Sequence, residues 1–192
     1  MRKFNRLFGI GPSKSGTHSL NDALHRVGLD STHLGSDGHY KRDIHKQDDW
    51  FSRHMHINHT EGRDILDGVP HQCVSDWPVS QYFKELDEQN PDSLFILTYR
   101  NPDDIAQSWC RMCMKMGFAN NNPDYLKKLW QVRQHYDAVF KYFRDRANDI
   151  LMLDTVHGAK TNMSKLCEFL RIDTPEDTTW PHSFNHQDWY AP

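Results

Sequence analysis

The stretch from Gly9 to Ser19 carries residue types that bind a phosphate or sulfate group. It reads GIGPSKSGTHS and leads into a predicted helix, so backbone N–H groups and the helix dipole would meet an anion at one place, where Lys14 adds a positive charge. The order differs from the ATP-binding G-x-x-x-x-G-K-[ST] loop, because Ser13 stands where the glycine before the lysine should be and Gly16 comes later. The stretch therefore predicts an anion site that is not that of an ordinary ATPase. The alternative is a plain glycine-rich turn with a surface lysine.

A second anion-binding combination is Arg100 with Ser108, eight residues later. Arg100 ends the apolar run Leu94–Tyr99, and a guanidinium at a strand end can grip a phosphate with two parallel hydrogen bonds. A hydroxyl in the second turn of the next helix can donate to the same group. Taken alone, an arginine and a serine at this spacing more often form an ion pair and a surface hydroxyl. Arg100 and Ser108 therefore support an anion site only in combination with the first stretch.

Apolar runs and helical periods alternate along the chain. The runs at residues 6–11, 72–75, 94–99 and 150–153 predict short buried strands. Apolar residues three and four positions apart predict helices over residues 17–27, from 78 onward, and over 102–116, 123–144 and 161–170. The alternation predicts one α/β domain over residues 1–192, with a P-loop-type parallel sheet flanked by helices on both faces. Ligands of such a sheet bind at the carboxyl ends of its strands, where both anion-binding stretches lie.

Composition narrows the classes of protein. The chain has 23 Lys and Arg against 26 Asp and Glu, and a formal charge of −3 argues against a dedicated nucleic-acid binder. No run of about 18 apolar residues predicts a membrane span, and the first apolar run is shorter than a secretory signal needs. The four cysteines lack the spacing of a disulfide scaffold and fit reduced thiols, so we expect a cytoplasmic protein.

The polar region 36–64 is rich in histidine and has no clean period, so we interpret it as an insertion or lid. Its residues His54, His56 and His59 could bind Zn²⁺, but no recognised spacing completes the site, and a solvated loop is favoured. His33, just before this region, is either a packed histidine or a group of the acceptor site, and packing is favoured. The C-x-x-C pair of Cys110 and Cys113 falls inside a predicted helix, where two thiols facing the core are the better interpretation.

The two anion-binding stretches together resemble the sulfotransferases that use 3′-phosphoadenosine 5′-phosphosulfate (PAPS). Residues 75–109 and 150–172 look like a compact branch of the same family, and the similarity spans residues 8–34 and 74–182. The resemblance implies PAPS as donor and the bisphosphate PAP as product, without a metal, and a small-molecule or glycan acceptor. It implies 5′-phosphosulfate contacts from Lys14, Ser15, Gly16, Thr17, His18 and Ser19, and 3′-phosphate contacts from Arg100 and Ser108.

The proton acceptor is where the sequence departs from larger family members, which have a histidine before a Leu-Pro pair. Here the triplet reads Asp76-Trp77-Pro78, which would make the base a carboxylate. We expect Lys14 to act as the catalytic cation and Asp76 or His18 as the base, with burial raising the pKa of Asp76. The alternative for Asp76 is a cap on the helix that follows it.

Two other functions remain open at this point. A small P-loop kinase would use ATP and Mg²⁺, with Asp154 as the metal carboxylate. A nucleotide-binding protein without catalysis would use the same loops to sense a bisphosphate. Arg100 with Ser108 argues against the kinase, because ATP has no 3′-phosphate.

Overall fold

The computed structural model describes residues 1–33, 53–115 and 124–182. Within these residues, five parallel strands form one sheet in the order β2-β3-β1-β4-β5. The strands are β1 (Leu7–Gly9), β2 (Ser31–His33), β3 (Cys73–Ser75), β4 (Leu94–Tyr99) and β5 (Ile150–Asp154). The predicted α/β fold with a parallel sheet is confirmed.

Six helices flank the sheet in the described part of the chain. They are α1 (Thr17–Arg26), α2 (helical residues 53–60), α3 (Phe83–Gln89), α4 (Pro102–Lys115), α5 (Tyr125–Tyr142) and α6 (Asn162–Leu170). None of these helices is long and apolar enough to cross a membrane.

Two hydrophobic clusters cover the two faces of the sheet. Strand β4 shows the division, because Phe95 and Leu97 belong to one cluster while Leu94 and Ile96 belong to the other. Successive side chains of a strand point to opposite faces, so a strand buried on both sides needs an unbroken apolar run. Both functional stretches therefore leave the sheet from strands fixed on two sides.

Strand β2 is an element that the sequence did not predict. It consists of Ser31, Thr32 and His33, all buried, and pairs in parallel with β3. Three polar residues give no hydrophobic pattern from which a strand could be predicted. The strand is stabilised by its backbone hydrogen bonds to the edge of β3. His33 is the last residue of β2, so it lies at the carboxyl ends of the strands, where the anion-binding stretches also lie.

Residues 53–64 differ from the predicted insertion or lid, whose residues 36–52 lie outside the described structure. Helix α2 occupies residues 53–60, and its Met55 is fully buried with Ile65 and Leu66 in the hydrophobic core. This part of the chain packs against the sheet.

The three histidines lie on a helix, so the predicted loop is wrong, although His56 and His59 are exposed as a solvated segment requires. His54 Nε2 lies 2.7 Å from the Asp67 carbonyl oxygen, and His56 Nδ1 lies 2.9 Å from the Tyr82 hydroxyl. The His59 ring stacks on Tyr82 at 4.8 Å between centroids. In residues 1–33, 53–115 and 124–182, no three His, Cys, Asp or Glu side chains are grouped to hold a metal ion.

Candidate active site

Strand β4 determines the path of the loop between β1 and α1. A Cβ atom on Gly11 would lie 1.8 Å from Thr98 Oγ1, so only glycine fits there. The buried hydroxyls of Ser15 and Thr98 are 2.6 Å apart, and the Ser15 N–H donates to the Pro12 carbonyl at 3.0 Å. The loop therefore rests on the strand that carries Arg100 at its end.

The same loop delivers an uncapped helix amino end. Gly16 is the N-cap of α1 with φ +101°, and within residues 1–33, 53–115 and 124–182 no side chain caps the first turn. Thr155, which follows β5, donates its hydroxyl to the Ser15 carbonyl at 2.7 Å and leaves no room for a Cβ at position 16. The first-turn N–H groups of an uncapped helix can bind an anionic ligand. Thr17, His18 and Ser19 open this turn.

Arg100 joins this loop from β4. Its Nη1 lies 3.4 Å from the Lys14 carbonyl oxygen, so the structure brings together the two predicted anion-binding stretches. Tyr136 of α5 fixes the Arg100 backbone, accepting from its N–H at 3.1 Å and donating to its carbonyl at 3.2 Å. Arg100 Nε is buried 3.9 Å from the Asp104 carboxylate and has no hydrogen-bond partner among the residues that the structure describes. Ser108 lies on the buried face of α4.

Asp76 approaches the loop from the end of β3. The Ser13 hydroxyl donates to its Oδ1 at 2.8 Å, and its own N–H donates to the Gly9 carbonyl at 3.2 Å. Helix α3 begins at Phe83 with Tyr82 as its N-cap, so the alternative of Asp76 as a helix cap is wrong. The carboxylate instead faces the anion-binding loop.

Two histidines complete the surroundings of Asp76. His33 Nε2 lies 3.2 Å from Asp76 Oδ2 and 2.9 Å from Thr17 Oγ1. The His18 and His33 rings stack with their centroids 3.7 Å apart. His33 is packed, as the sequence favoured, but its packing partners are the residues of the site.

Burial sets the protonation of these groups. It raises the pKa of Asp76, as expected, against the opposing effects of the Ser13 hydrogen bond and the nearby Lys14 charge. It lowers the pKa of His18 to about 3, helped by His33, and it lowers the pKa of Lys14, opposed by Asp76. His18 is thus a neutral imidazole at pH 7, and the Asp76 carboxyl binds a proton more tightly than a free one.

The kinase alternative finds no support at Asp154. Its Oδ1 accepts hydrogen bonds from the Val156 N–H at 2.9 Å and the His157 N–H at 2.8 Å, and its Oδ2 lies 3.2 Å from His157 Nδ1. The carboxylate stabilises its own turn.

Sequence reasoning missed the residues that fix the anion-binding loop and the Arg100 backbone by hydrogen bonds. Thr98 and Thr155 lie at the carboxyl ends of β4 and β5, and hydroxyls at strand ends are a signal that could have found them. Tyr136 reaches Arg100 from the middle of α5, and nothing in the sequence indicates that contact.

Comparisons with known proteins agree with this geometry. The family profile described as "Sulfotransferase domain" matches residues 6–151, most of the chain. No curated protein sequence matches.

Several solved structures share the fold. A sulfotransferase from Mycobacterium avium aligns with a TM-score of 0.59 at 13% identity, over 93% of this chain and 66% of that one. A sulfotransferase from Alicyclobacillus acidocaldarius gives 0.56 at 17% identity, over 96% and 87%. The sulfotransferase domain of the curacin biosynthetic pathway gives 0.56 at 14% identity, over 96% and 80%. The chain spans just under two thirds of the Mycobacterium protein, and these TM-scores establish a common fold.

Proposed function

Because the chain belongs to the sulfotransferase domain family, we propose that it transfers the sulfuryl group of PAPS to a hydroxyl or amine acceptor. The observation that carries the proposal is the 3.4 Å contact between Arg100 Nη1 and the Lys14 carbonyl oxygen. It places two anion-binding elements side by side, as a ligand with phosphates at both its 3′ and 5′ positions requires. The proposed acceptor is a small molecule or glycan. We place the enzyme in the cytoplasm because its four cysteines, all within the described residues, form no disulfide.

The residues present fit such a donor. The loop from Lys14 to Ser19 offers the uncapped first turn of α1 to the 5′-phosphosulfate. Arg100 and Ser108 are assigned to the 3′-phosphate, and the buried Arg100 Nε without a hydrogen-bond partner is the kind of donor that a bound anion satisfies. When bound, PAPS supplies an activated sulfuryl group.

The chemistry assigned to the protein is proton removal and charge stabilisation. Asp76 accepts the proton of the acceptor hydroxyl while that oxygen forms its bond to sulfur. Lys14 stabilises the negative charge left on the 5′-phosphate as the bond from its oxygen to sulfur breaks. Asp76 is preferred to His18 as the base, because burial raises the pKa of the carboxyl and lowers that of the imidazole to about 3.

Titration calorimetry with 3′,5′-adenosine bisphosphate tests the proposal. We expect binding in the presence of EDTA, and weaker binding of ATP–Mg²⁺, because the loop departs from the ATPase pattern and Arg100 offers a second anion site. Transfer of labelled sulfate from PAPS to a panel of phenols, amines and sugars then tests turnover. Tighter binding of ATP–Mg²⁺, or loss of bisphosphate binding in EDTA, would favour the kinase. Bisphosphate binding without turnover of any acceptor would favour the non-catalytic sensor.

A further inference from the structure

One imidazole touches both halves of the site. His33 ends β2, its side chain is 3% exposed, and its Nε2 contacts both Asp76 Oδ2 at 3.2 Å and Thr17 Oγ1 at 2.9 Å. Asp76 is the assigned base, and Thr17 belongs to the loop assigned to the 5′-phosphosulfate. The same nitrogen therefore connects the proton acceptor to the donor loop.

The contact of His33 with Thr17 is a hydrogen bond, whereas its contact with Asp76 is a close polar approach. Burial and the Lys14 charge lower the pKa of His33, so its ring is neutral at pH 7 and has one N–H. A carboxylate oxygen 3.2 Å from Nε2 is attracted by an N–H there and repelled by a lone pair, which favours the tautomer with its proton on Nε2. The Thr17 oxygen can share this N–H and keep its own hydroxyl proton for an anionic ligand.

The ring is held in this orientation. His18 stacks on it with an angle of 19° between the planes, and β2 pairs with β3 immediately beside Asp76. Nδ1 is buried and has no hydrogen-bond partner in the described part of the chain. A buried nitrogen without a hydrogen bond raises the free energy of the folded chain, and the contacts of the rest of the ring must offset that cost.

We propose that His33 is a positioning residue for the transfer reaction: its ring, hydrogen-bonded to Thr17 of the donor loop, places a polar N–H against the Asp76 carboxylate and keeps that group in position. This inference rests on the proposed function for its catalytic meaning. The contact itself can be tested without turnover.

Other groups also act on the Asp76 carboxylate. The titratable ones are Lys14 of the loop, His18 of α1, His33 of β2 and Lys128 of α5. The Ser13 hydroxyl donates to its other oxygen. His33→Leu also removes the ring on which His18 stacks, so the lost N–H is reported by the difference between His33→Leu and His33→Gln, which both lack that ring.

The test compares His33→Leu, which removes the N–H, with His33→Gln, whose amide nitrogen can reach the Nε2 position. The carboxyl pKa of Asp76 is measured by carbon-13 NMR, with Asp76→Asn to assign the signal. Loss of the N–H beside the carboxylate should raise this pKa by about one unit in His33→Leu. His33→Gln should stay within about half a unit of the wild type. His33→Asn, whose amide is too short, should behave like His33→Leu and replaces it if that variant does not fold.

Kinetics supply the second readout. In His33→Leu the acidic limb of kcat/KM should move to higher pH with the Asp76 pKa, and kcat should fall at least about tenfold. The affinity for 3′,5′-adenosine bisphosphate should change less than about threefold. His135→Leu is the matched control, because it removes the contact between His135 Nε2 and the Ile10 carbonyl oxygen at 2.7 Å and should leave the Asp76 pKa unchanged.

An unchanged Asp76 pKa in folded His33→Leu, or an equal shift in His33→Gln and His33→Leu, overturns the proposal. Failure of the proposed function looks different. The wild type would then transfer no sulfate, while the Asp76 pKa would still move in His33→Leu and stay in His33→Gln.

Discussion

Arg100 shows how a single charge is prepared for an anion. Tyr136 forms hydrogen bonds with the backbone N–H and carbonyl groups of Arg100, which fixes the main chain at this residue. The guanidinium is left with one contact to the Lys14 carbonyl oxygen and a distant carboxylate at Asp104. A cation held in this way has lost most of its freedom before the ligand arrives, which lowers the entropic cost of binding.

Replacing Arg100 with alanine should therefore weaken 3′,5′-adenosine bisphosphate by about 1.5–3 kcal/mol, the range for a hydrogen bond to a charged group. Adenosine 5′-phosphosulfate, which lacks the 3′-phosphate, should lose little. Titration calorimetry with both ligands measures the difference. Arg111→Ala, on an exposed position of α4, is the control for a general change of charge. Equal losses for the two ligands would show that Arg100 does not bind the 3′-phosphate.

The predictability of single residues depended on their neighbours in the chain. Lys14 and Arg100 were found because each follows an apolar run that marks a strand, and Asp76 because its triplet stands where larger family members have a histidine before Leu-Pro. His33 follows only Ser31 and Thr32, whose polarity hides the strand. The contacts of His33 exist only once β2 lies beside β3, so no local pattern could reveal them.

Among the elements, α2 departs furthest from the expectation. Its exposed histidines give the segment a polar composition, yet Met55 and Asn58 are fully buried. The Asn58 amide donates to the carbonyls of Ile65 and Asp67 at 3.3 Å, which anchors the helix to the turn after it. A short helix with one buried apolar residue shows too little periodicity to be recognised, whereas the long apolar run of β4 could be predicted.

If α2 is part of the core, Met55→Ala should lower the free energy of unfolding by about 2–5 kcal/mol, because it removes buried volume that the surroundings cannot refill. Ile57→Ala on the same helix, where the side chain is 37% exposed, should cost about 1 kcal/mol or less. Urea denaturation of the two variants provides the comparison. Equal and small losses of unfolding free energy in the two variants would show that residues 53–64 are not part of the core and would support the lid interpretation.

At the scale of the whole molecule, the neutral histidines of the site make stability depend on pH. His18 has a pKa of about 3 in the folded chain and about 6.5 in an unfolded one. Between about pH 3 and pH 6.5 the His18 imidazole is protonated in the unfolded chain and stays neutral in the folded chain. Stability is therefore complete above about pH 6.5 and falls as the pH decreases toward 3.

His18 alone should cost about 2 kcal/mol of unfolding free energy between pH 7 and pH 5. Urea denaturation at the two pH values should show this loss in the wild type, and His18→Asn should reduce it by about that amount. His25→Asn, a change at an exposed histidine of the same helix, is the control. The raised pKa of Asp76 acts in the opposite direction, since it favours the folded chain as the carboxyl becomes protonated. A pH dependence that is the same in wild type and His18→Asn would contradict a buried, neutral imidazole.

The order of the strands also has a consequence for the timing of synthesis. Phe8 of β1 lies between Val74 of β3 and Phe95 of β4, so the central strand of the sheet leaves the ribosome well before either neighbour. At about 5–20 residues per second, several seconds pass in which β1 has no partner on either edge. The anion-binding loop takes its shape from Thr98 and Asp76, so it cannot be completed until β4 has emerged. A nascent chain stalled before Leu94 should carry every residue of that loop and still bind no nucleotide.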